Sequence, residues 1–203
     1  MTLFADPAPE WRFPDRVALP FTFDAAALDA DLNRIEAREW TRHVVRENYD
    51  GRWDMLPLRA PAGETHPIRL VYPDPGATAF VDTALLDDAP AFRAVLDSFR
   101  CPLRVVRLMR LAAGSRILEH SDVRLDAESG MARLHVPIRT NADVRFLLNG
   151  VPVTMTPGSC WYLRLSDPHA VTNDGASDRV HLVIDVDVNA WLLRMLEAPF
   201  RSP

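Results

Sequence analysis

The sequence predicts a mainly β protein with flanking helices, folded as a jelly roll or barrel. Three observations carry that expectation. From Cys101 to Asp187 the chain reads as short runs of β-branched and aromatic residues, separated by turn signals at Ala113-Gly114, Asn149-Gly150, Pro157-Gly158 and Asn173-Asp174-Gly175. The run from Arg179 alternates, with Val180, Leu182, Ile184 and Val186 on one face and Arg179 and His181 on the other. Helical periodicity is confined to stretches outside this region. A shell of this kind holds ligands in its mouth.

Taken in order, residues 1 to 16 are proline-rich and predict irregular chain, followed by a short strand from Arg16 to Phe23. Asp24 is placed to cap a helix running to about Thr41, with Leu28, Leu32 and Ile35 on its buried face. His43 would then stand at the helix C-terminus, where it complements the dipole. The segment VVRENYDGRWDMLPLR predicts a hairpin about Asp50-Gly51. Its Tyr49 and Trp53 suit either the core or a pocket wall, core being the commoner fate. His66 and the VYPDPGATA segment read as surface connection or, secondarily, a lid.

A second helix is expected over Asp88 to Phe99, with Pro90 in its first turn and Phe92, Val95, Leu96 and Phe99 facing the core. Strands follow at Leu103 to Leu111, around His120 and Asp122, at RLHVPI, in the hairpin DVRFLLNGVPVTM, around Trp161, from His169, and from Arg179. NAWLLRML is a final amphipathic helix that packs back or makes a dimer contact. With no repeat or linker, one domain over 1–203 is expected: strands and covering helices in 1–100, the β core in 101–188, and a helix and tail in 189–203.

Composition narrows the chemistry. A chain of 203 residues, 48% hydrophobic and 25% charged, is ordinarily globular, and a net charge of −5 argues against a nucleic-acid partner. All 23 basic residues are arginines, and the absence of lysine excludes Schiff-base, pyridoxal-lysine and P-loop chemistries. Cys101 and Cys160 lie in apolar, strand-like sequence without a C-x-x-C pair, which points to buried thiols and a cytoplasmic, reducing compartment. MTLFADPAPEWRFPD has no secretory pattern and no apolar run reaches bilayer length, so a soluble protein without a membrane partner is expected.

Four of the six histidines fall between Arg107 and Asp187. His120 and Asp122 are two apart, which puts both on one face of an extended backbone, and His169 follows the Asp167-Pro168 turn. Two histidines and one carboxylate around a metal with open positions form the ligand set of non-haem Fe(II) oxygenases; zinc is admissible for the same donors. H-x-D alone is a common chance pattern. Arg179 sharpens it, because a guanidinium on the inner face of a barrel strand needs a carboxylate partner, which a dicarboxylate cosubstrate would supply. Arg133 and His135 repeat the i, i+2 device. For each arginine the alternative is an interstrand ion pair or a rim charge. Arg107, Arg110 and Arg124 suit a substrate carboxylate or a solvated surface equally, and His181 suits a substrate contact or a satisfied core position.

The segments HSD from His120, RLH from Arg133, PGSCWYL from Pro157, PHAVTN from Pro168 and DRVHLVID from Asp178 resemble the aspartyl/asparaginyl β-hydroxylase family over roughly residues 100 to 188. A weaker similarity lies between Trp40 and Trp53. Members are 2-oxoglutarate-dependent, non-haem iron oxygenases. The resemblance implies a cupin-like double-stranded β-helix, iron on His120 and His169, the distal 2-oxoglutarate carboxylate on Arg179, and contacts from Arg133 and His135 to the cosubstrate or to a substrate carboxylate. Animal peptide-modifying members have glycine where this chain has Asp122, so the complete triad is similar to that of bacterial stand-alone members. Met109 stands where those animal enzymes have a serine that helps hold 2-oxoglutarate, so the resemblance implies that this contact is lost or replaced here.

These readings together predict a dioxygenase using Fe(II), 2-oxoglutarate and dioxygen to hydroxylate an amino acid, free or within a peptide, with proline included. The alternative is a non-catalytic jelly-roll protein that binds metal or senses a ligand. Against it stands the pairing of an open-sided triad with a separate arginine clamp, which a binding module does not need. A zinc hydrolase would want a general base such as H-E-x-x-H supplies, and none is evident.

Overall fold

The computed structural model describes residues 12–72 and 76–197. Its elements are, in order, β1 (Arg16–Thr22), α1 (Ala25–Ile35), β2 (Thr41–Arg42), β3 (Tyr49–Asp50), β4 (Trp53–Pro61), α2 (Pro67–Val71), β5 (Phe80–Asp82), α3 (Pro90–Asp97), β6 (Leu103–Leu111), β7 (Arg116–His120), β8 (Met131–Arg139), β9 (Val144–Leu148), β10 (Val151–Pro152), β11 (Ser159–Leu163), β12 (His169–Asn173), β13 (Arg179–Asp187) and α4 (Ala190–Glu197). Single 3-10 turns occupy Arg46–Asn48 and Ala84–Asp88.

The described strands make two antiparallel sheets. The larger runs β1-β11-β8-β13-β6-β4-β2, with β5 on the far part of β4; the smaller runs β10-β9-β12-β7-β3. This is the jelly roll that the strand pattern predicts, in the double-stranded β-helix form that the resemblance implies.

Alternation along β13 divides the molecule into two cores. Val180, Leu182, Ile184 and Val186 face a core closed by Leu28, Leu32 and Ile35 of α1, Phe92, Val95 and Leu96 of α3, and Leu192 and Leu196 of α4. Each fully buried aliphatic side chain there contributes about 2 kcal/mol. The opposite face of β13 turns Arg179, His181 and Asp185 inward as buried polar residues, and its Val183 joins the apolar cluster between the sheets, with Met55, Leu111, Phe146, Leu163 and Val171. That seam contains the candidate site.

Local chemistry fixes the supports. Asp24 Oδ1 accepts from the Ala26 and Ala27 amides at 2.9 and 3.1 Å and starts α1. Asp31, buried on α1, accepts from the Ala91 and Phe92 amides at 2.6 and 3.0 Å, so one helix caps the next. Asn149 and Gly150 have φ of 52° and 72°, the pair of positive angles that a two-residue β9–β10 turn demands. Among the described residues no helix is long and apolar enough to cross a membrane.

Several elements differ from the expectations. The first helix ends at Ile35 rather than near Thr41, because Trp40 Nε1 turns back onto the Glu36 carbonyl and Thr41 and Arg42 pair with Met55 and Asp54 in the large sheet. His43 therefore follows a strand instead of ending a helix, and it is buried. The Asp50-Gly51 turn does not close a hairpin: Tyr49 and Asp50 pair with β7 in the small sheet, while Trp53 onward pairs with β6 in the large one. The second helix is confined to Pro90–Asp97, and the connection after His66 contains α2, whose Val71 is buried. Cys101 precedes β6 and Cys160 lies within β11; both are buried free thiols. Residues 1–11 of the irregular N-terminal stretch and 73–75 of the VYPDPGATA connection lie outside the described residues.

Candidate metal centre

Strand pairing brings the two histidines together. In the small sheet His169, first residue of β12, stands directly opposite His120, last residue of β7, with ring centroids 4.3 Å apart. Asp122 lies just past β7, its amide donating to the Leu165 carbonyl at 2.8 Å. One donor atom from each of His120, Asp122 and His169 falls within 4.8 Å of the others. His120 Nδ1 is 2.8 Å from the Leu118 carbonyl oxygen and His169 Nδ1 is 3.0 Å from that of Asp167. Each carbonyl accepts a hydrogen bond from Nδ1–H, which keeps the proton on Nδ1 and leaves the Nε2 lone pair free to bind a metal. Burial, opposed by the bond to Asp167 and reinforced by the neighbouring His120, holds His169 below its ordinary pKa and keeps it neutral. Two imidazoles whose Nε2 atoms are free, together with a carboxylate, fit a divalent first-row metal.

Arg179 faces the same cavity from the opposite sheet. The space between them, about 30 Å³, is walled by Trp53, Met109, Arg133, His135 and Phe146 as well as the triad and Arg179. Arg179 is 3% exposed, and among the described residues no carboxylate lies within ion-pair distance of it. Its Nη2 donates to His181 Nδ1 at 2.8 Å, its Nε has no partner, and the Phe146 ring lies 5.9 Å from its carbon. Burial pushes its pKa down to about 9. A cation kept without a counter-ion at such a cost marks a place for an anion.

His181 accepts from Arg179 through Nδ1 and lies 3.4 Å from His135 Nδ1. Burial, followed by the charge of Arg179, holds both imidazoles well below the usual range. Among the described residues His135 Nε2 has no partner. His181 does not reach the metal-side cavity. With Arg179 it lines a larger one of about 740 Å³ beneath the β9–β10 hairpin.

Arg133 has carboxylate partners of its own: Nε and Nη2 donate to Asp185 at 2.6 and 3.1 Å, and Nη1 donates to Asp122 at 2.9 Å. Arg107 is 1% exposed and donates to Asp185 at 2.9 Å. Arg110 pairs with Asp54 at 2.9 Å, and Arg124 is exposed at a positive φ of 61°.

Sequence reasoning offered Trp53 as a core residue or a pocket wall, and missed His43 and Tyr72, which back it beside the triad. His43 stacks on Trp53 at 3.6 Å, hydrogen-bonds the Tyr72 hydroxyl, and is pushed down to about 3 by burial and then by Arg107. The Trp53 ring lies 6.4 Å from His120. No local signal identifies His43, which arrives through the pairing of β2 with β4. Asp185 was within reach of the sequence, since it shares the alternating inner face of Arg179 and His181.

The profile of the aspartyl/asparaginyl β-hydroxylase family matches residues 23–188, and the chain belongs to that family. It is 28% identical over 182 residues to an L-proline cis-4-hydroxylase of Rhizobium meliloti (strain 1021), an alignment covering 87% of this chain and 63% of that protein's length. In fold it is similar to the viral collagen prolyl hydroxylase of Paramecium Bursaria Chlorella virus-1, with a TM-score of 0.51 and 11% identity over 87% of this chain and 97% of the other. It is also similar to the non-heme alpha ketoglutarate dependent epimerase SnoN from nogalamycin biosynthesis, with a TM-score of 0.55 and 12% identity over 87% and 77%.

Proposed function

We propose that the chain is an Fe(II)- and 2-oxoglutarate-dependent dioxygenase that hydroxylates an amino acid, free or within a peptide, with proline the first candidate. The observation that carries this reading is a buried Arg179 with no carboxylate partner among the described residues, facing the His120, Asp122 and His169 donors across one cavity. Family membership and the likeness to a proline hydroxylase support it.

His120 Nε2, His169 Nε2 and one Asp122 oxygen would hold Fe(II). With the metal bound, the site supplies oxidative decarboxylation: 2-oxoglutarate and dioxygen become succinate and carbon dioxide, and one oxygen atom enters a substrate C–H bond. Arg179 takes the distal carboxylate of the cosubstrate in a charge-assisted pair, and His181, fixed as an acceptor, aims the guanidinium. Phe146 and Trp53 exclude water from the space between. His135, with Nε2 unpartnered, is assigned to a cosubstrate or substrate carboxylate; Arg133 is drawn to Asp122 and Asp185. The buried free thiols Cys101 and Cys160 favour a reducing, cytoplasmic compartment.

The test is turnover in air of iron-loaded protein with 2-oxoglutarate and a panel of amino acids and short peptides, proline first. Succinate should form in step with a product heavier by one oxygen, and Asp122→Ala or His169→Ala should lower the rate by at least about a hundredfold. Near-normal turnover in both variants would remove the triad assignment. Absence of succinate with every substrate would favour a metal-binding or ligand-sensing jelly roll.

A further inference from the structure

The carboxylate of Asp122 is gripped on one oxygen. Oδ2 accepts from Arg133 Nη1 at 2.9 Å, whereas Oδ1 lies 3.9 Å from His120 Nε2. Arg133 is in turn held by Asp185, which stands directly opposite it in the β8–β13 register and accepts from Nε and Nη2. Asp185 Oδ2 also accepts from Arg107 Nη1, on β6. A neutral row of two anions and two cations thus runs from Asp122 across the three adjacent strands β8, β13 and β6.

Stability alone does not account for such a row. Arg107 and Asp185 are 1% and 7% exposed, and buried ion pairs seldom outperform well-packed apolar side chains of the same volume. What apolar residues could not do is occupy Asp122 Oδ2. A free carboxylate can bind a cation through both oxygens, but one whose second oxygen accepts from a guanidinium offers the other alone.

We propose that Arg133 is a positioning residue that restricts Asp122 to coordination through one oxygen, with Asp185 and Arg107 holding the Arg133 guanidinium in place. This rests on the metal reading above. A six-coordinate ion with three protein donors keeps three positions open, the number that a chelating 2-oxo acid and dioxygen require together. A second Asp122 oxygen on the metal would take one of them.

The two ways in which Arg133 could matter differ in the number of metal positions left open. If it only props up the fold, its loss leaves that number unchanged. If it withholds Oδ2, its loss releases a second donor and removes a nearby positive charge, and metal binding strengthens while an open position disappears. Mn(II) alone serves as the probe, with affinity read by electron paramagnetic resonance and bound water by proton relaxation. Wild type should keep about three water positions. Arg133→Met should bind Mn(II) several-fold more tightly, with the relaxation enhancement reduced by about a third. The double variant Arg133→Met/Asp185→Asn leaves the row neutral, so it keeps the test intact if the single variant does not fold, and it should behave in the same way. Unchanged relaxation in either folded variant, or weaker Mn(II) binding in the double variant, overturns the assignment of Arg133. Failure of wild type to bind Mn(II) at all contradicts the metal reading itself.

Discussion

Asp185 carries two arginines on one carboxylate, and its titration reaches the whole fold. Burial alone would raise its pKa, but the charges of Arg107 and Arg133, with their hydrogen bonds, hold it well below its usual 3.8. A carboxyl depressed in the folded state adds stability that is complete above its unfolded pKa and is lost as pH falls towards the folded value. Wild type should therefore lose stability in urea below about pH 4. Asp185→Asn, which leaves buried guanidinium charge uncompensated, should cost about 3–5 kcal/mol at pH 7 and flatten that acid slope. An unchanged slope would mean that Asp185 is not held ionised more strongly in the folded state than in the unfolded one. At this scale the grouping of the candidate residues was largely legible: H-x-D, a later histidine and an arginine on an alternating strand are local patterns. His43 and Tyr72 were not, because a stack on Trp53 and a hydrogen bond between them depend on pairing of segments remote in sequence.

The limits of sequence reading at the scale of elements have the same origin. Strand positions in the second half followed from alternation and turns, and β6 and β13 span the residues expected of them. Sheet membership did not follow, since a strand carries no local mark of its partner; β3 and β4 sit on either side of one turn yet join different sheets. The first helix was overextended because Glu36 to Trp40 keep helical composition while Thr41 and Arg42 are captured by β4. Gly158 is a junction the turn signal did identify. Its φ is +81°, and an added Cβ would lie 2.3 Å from the Phe23 carbonyl oxygen, at the point where the Phe23 amide donates to the Gly158 carbonyl at 2.8 Å. Gly158→Ala should destabilise by about 2 kcal/mol or more, read from the urea midpoint. A change within about 0.5 kcal/mol would show that the β11 entrance and the start of α1 relax independently.

Across the whole molecule, the division of labour is between two cores. Helices α1, α3 and α4 pack the outer face of the large sheet with apolar side chains, leaving its inner face to hold charges that stability alone would not select. The small sheet contributes the paired histidines, the large sheet contributes Arg179, Arg133 and Asp185, and the site lies in the seam between them. Fold class and the location of this seam were readable because jelly-roll alternation forces polar residues on β13 to face a common interior. The balance of charge inside the seam, with Asp185 serving two arginines and, among the described residues, only the neutral His181 and no carboxylate serving Arg179, emerges only in three dimensions.

Anaerobic titration of the metal-free protein with Fe(II) and then 2-oxoglutarate tests most directly whether triad and clamp act as one site. The signal is the visible metal-to-ligand charge-transfer absorption of the chelated 2-oxo acid, which requires no knowledge of the substrate. Wild type should develop the band, saturate with 2-oxoglutarate and bleach when oxygen is admitted. Arg179→Met should retain Fe(II) and need at least about tenfold more 2-oxoglutarate for the same absorbance. Folded, iron-loaded wild type that gives no band, or an Arg179→Met variant that saturates at the wild-type concentration, would contradict the assignment of this seam to iron and 2-oxoglutarate.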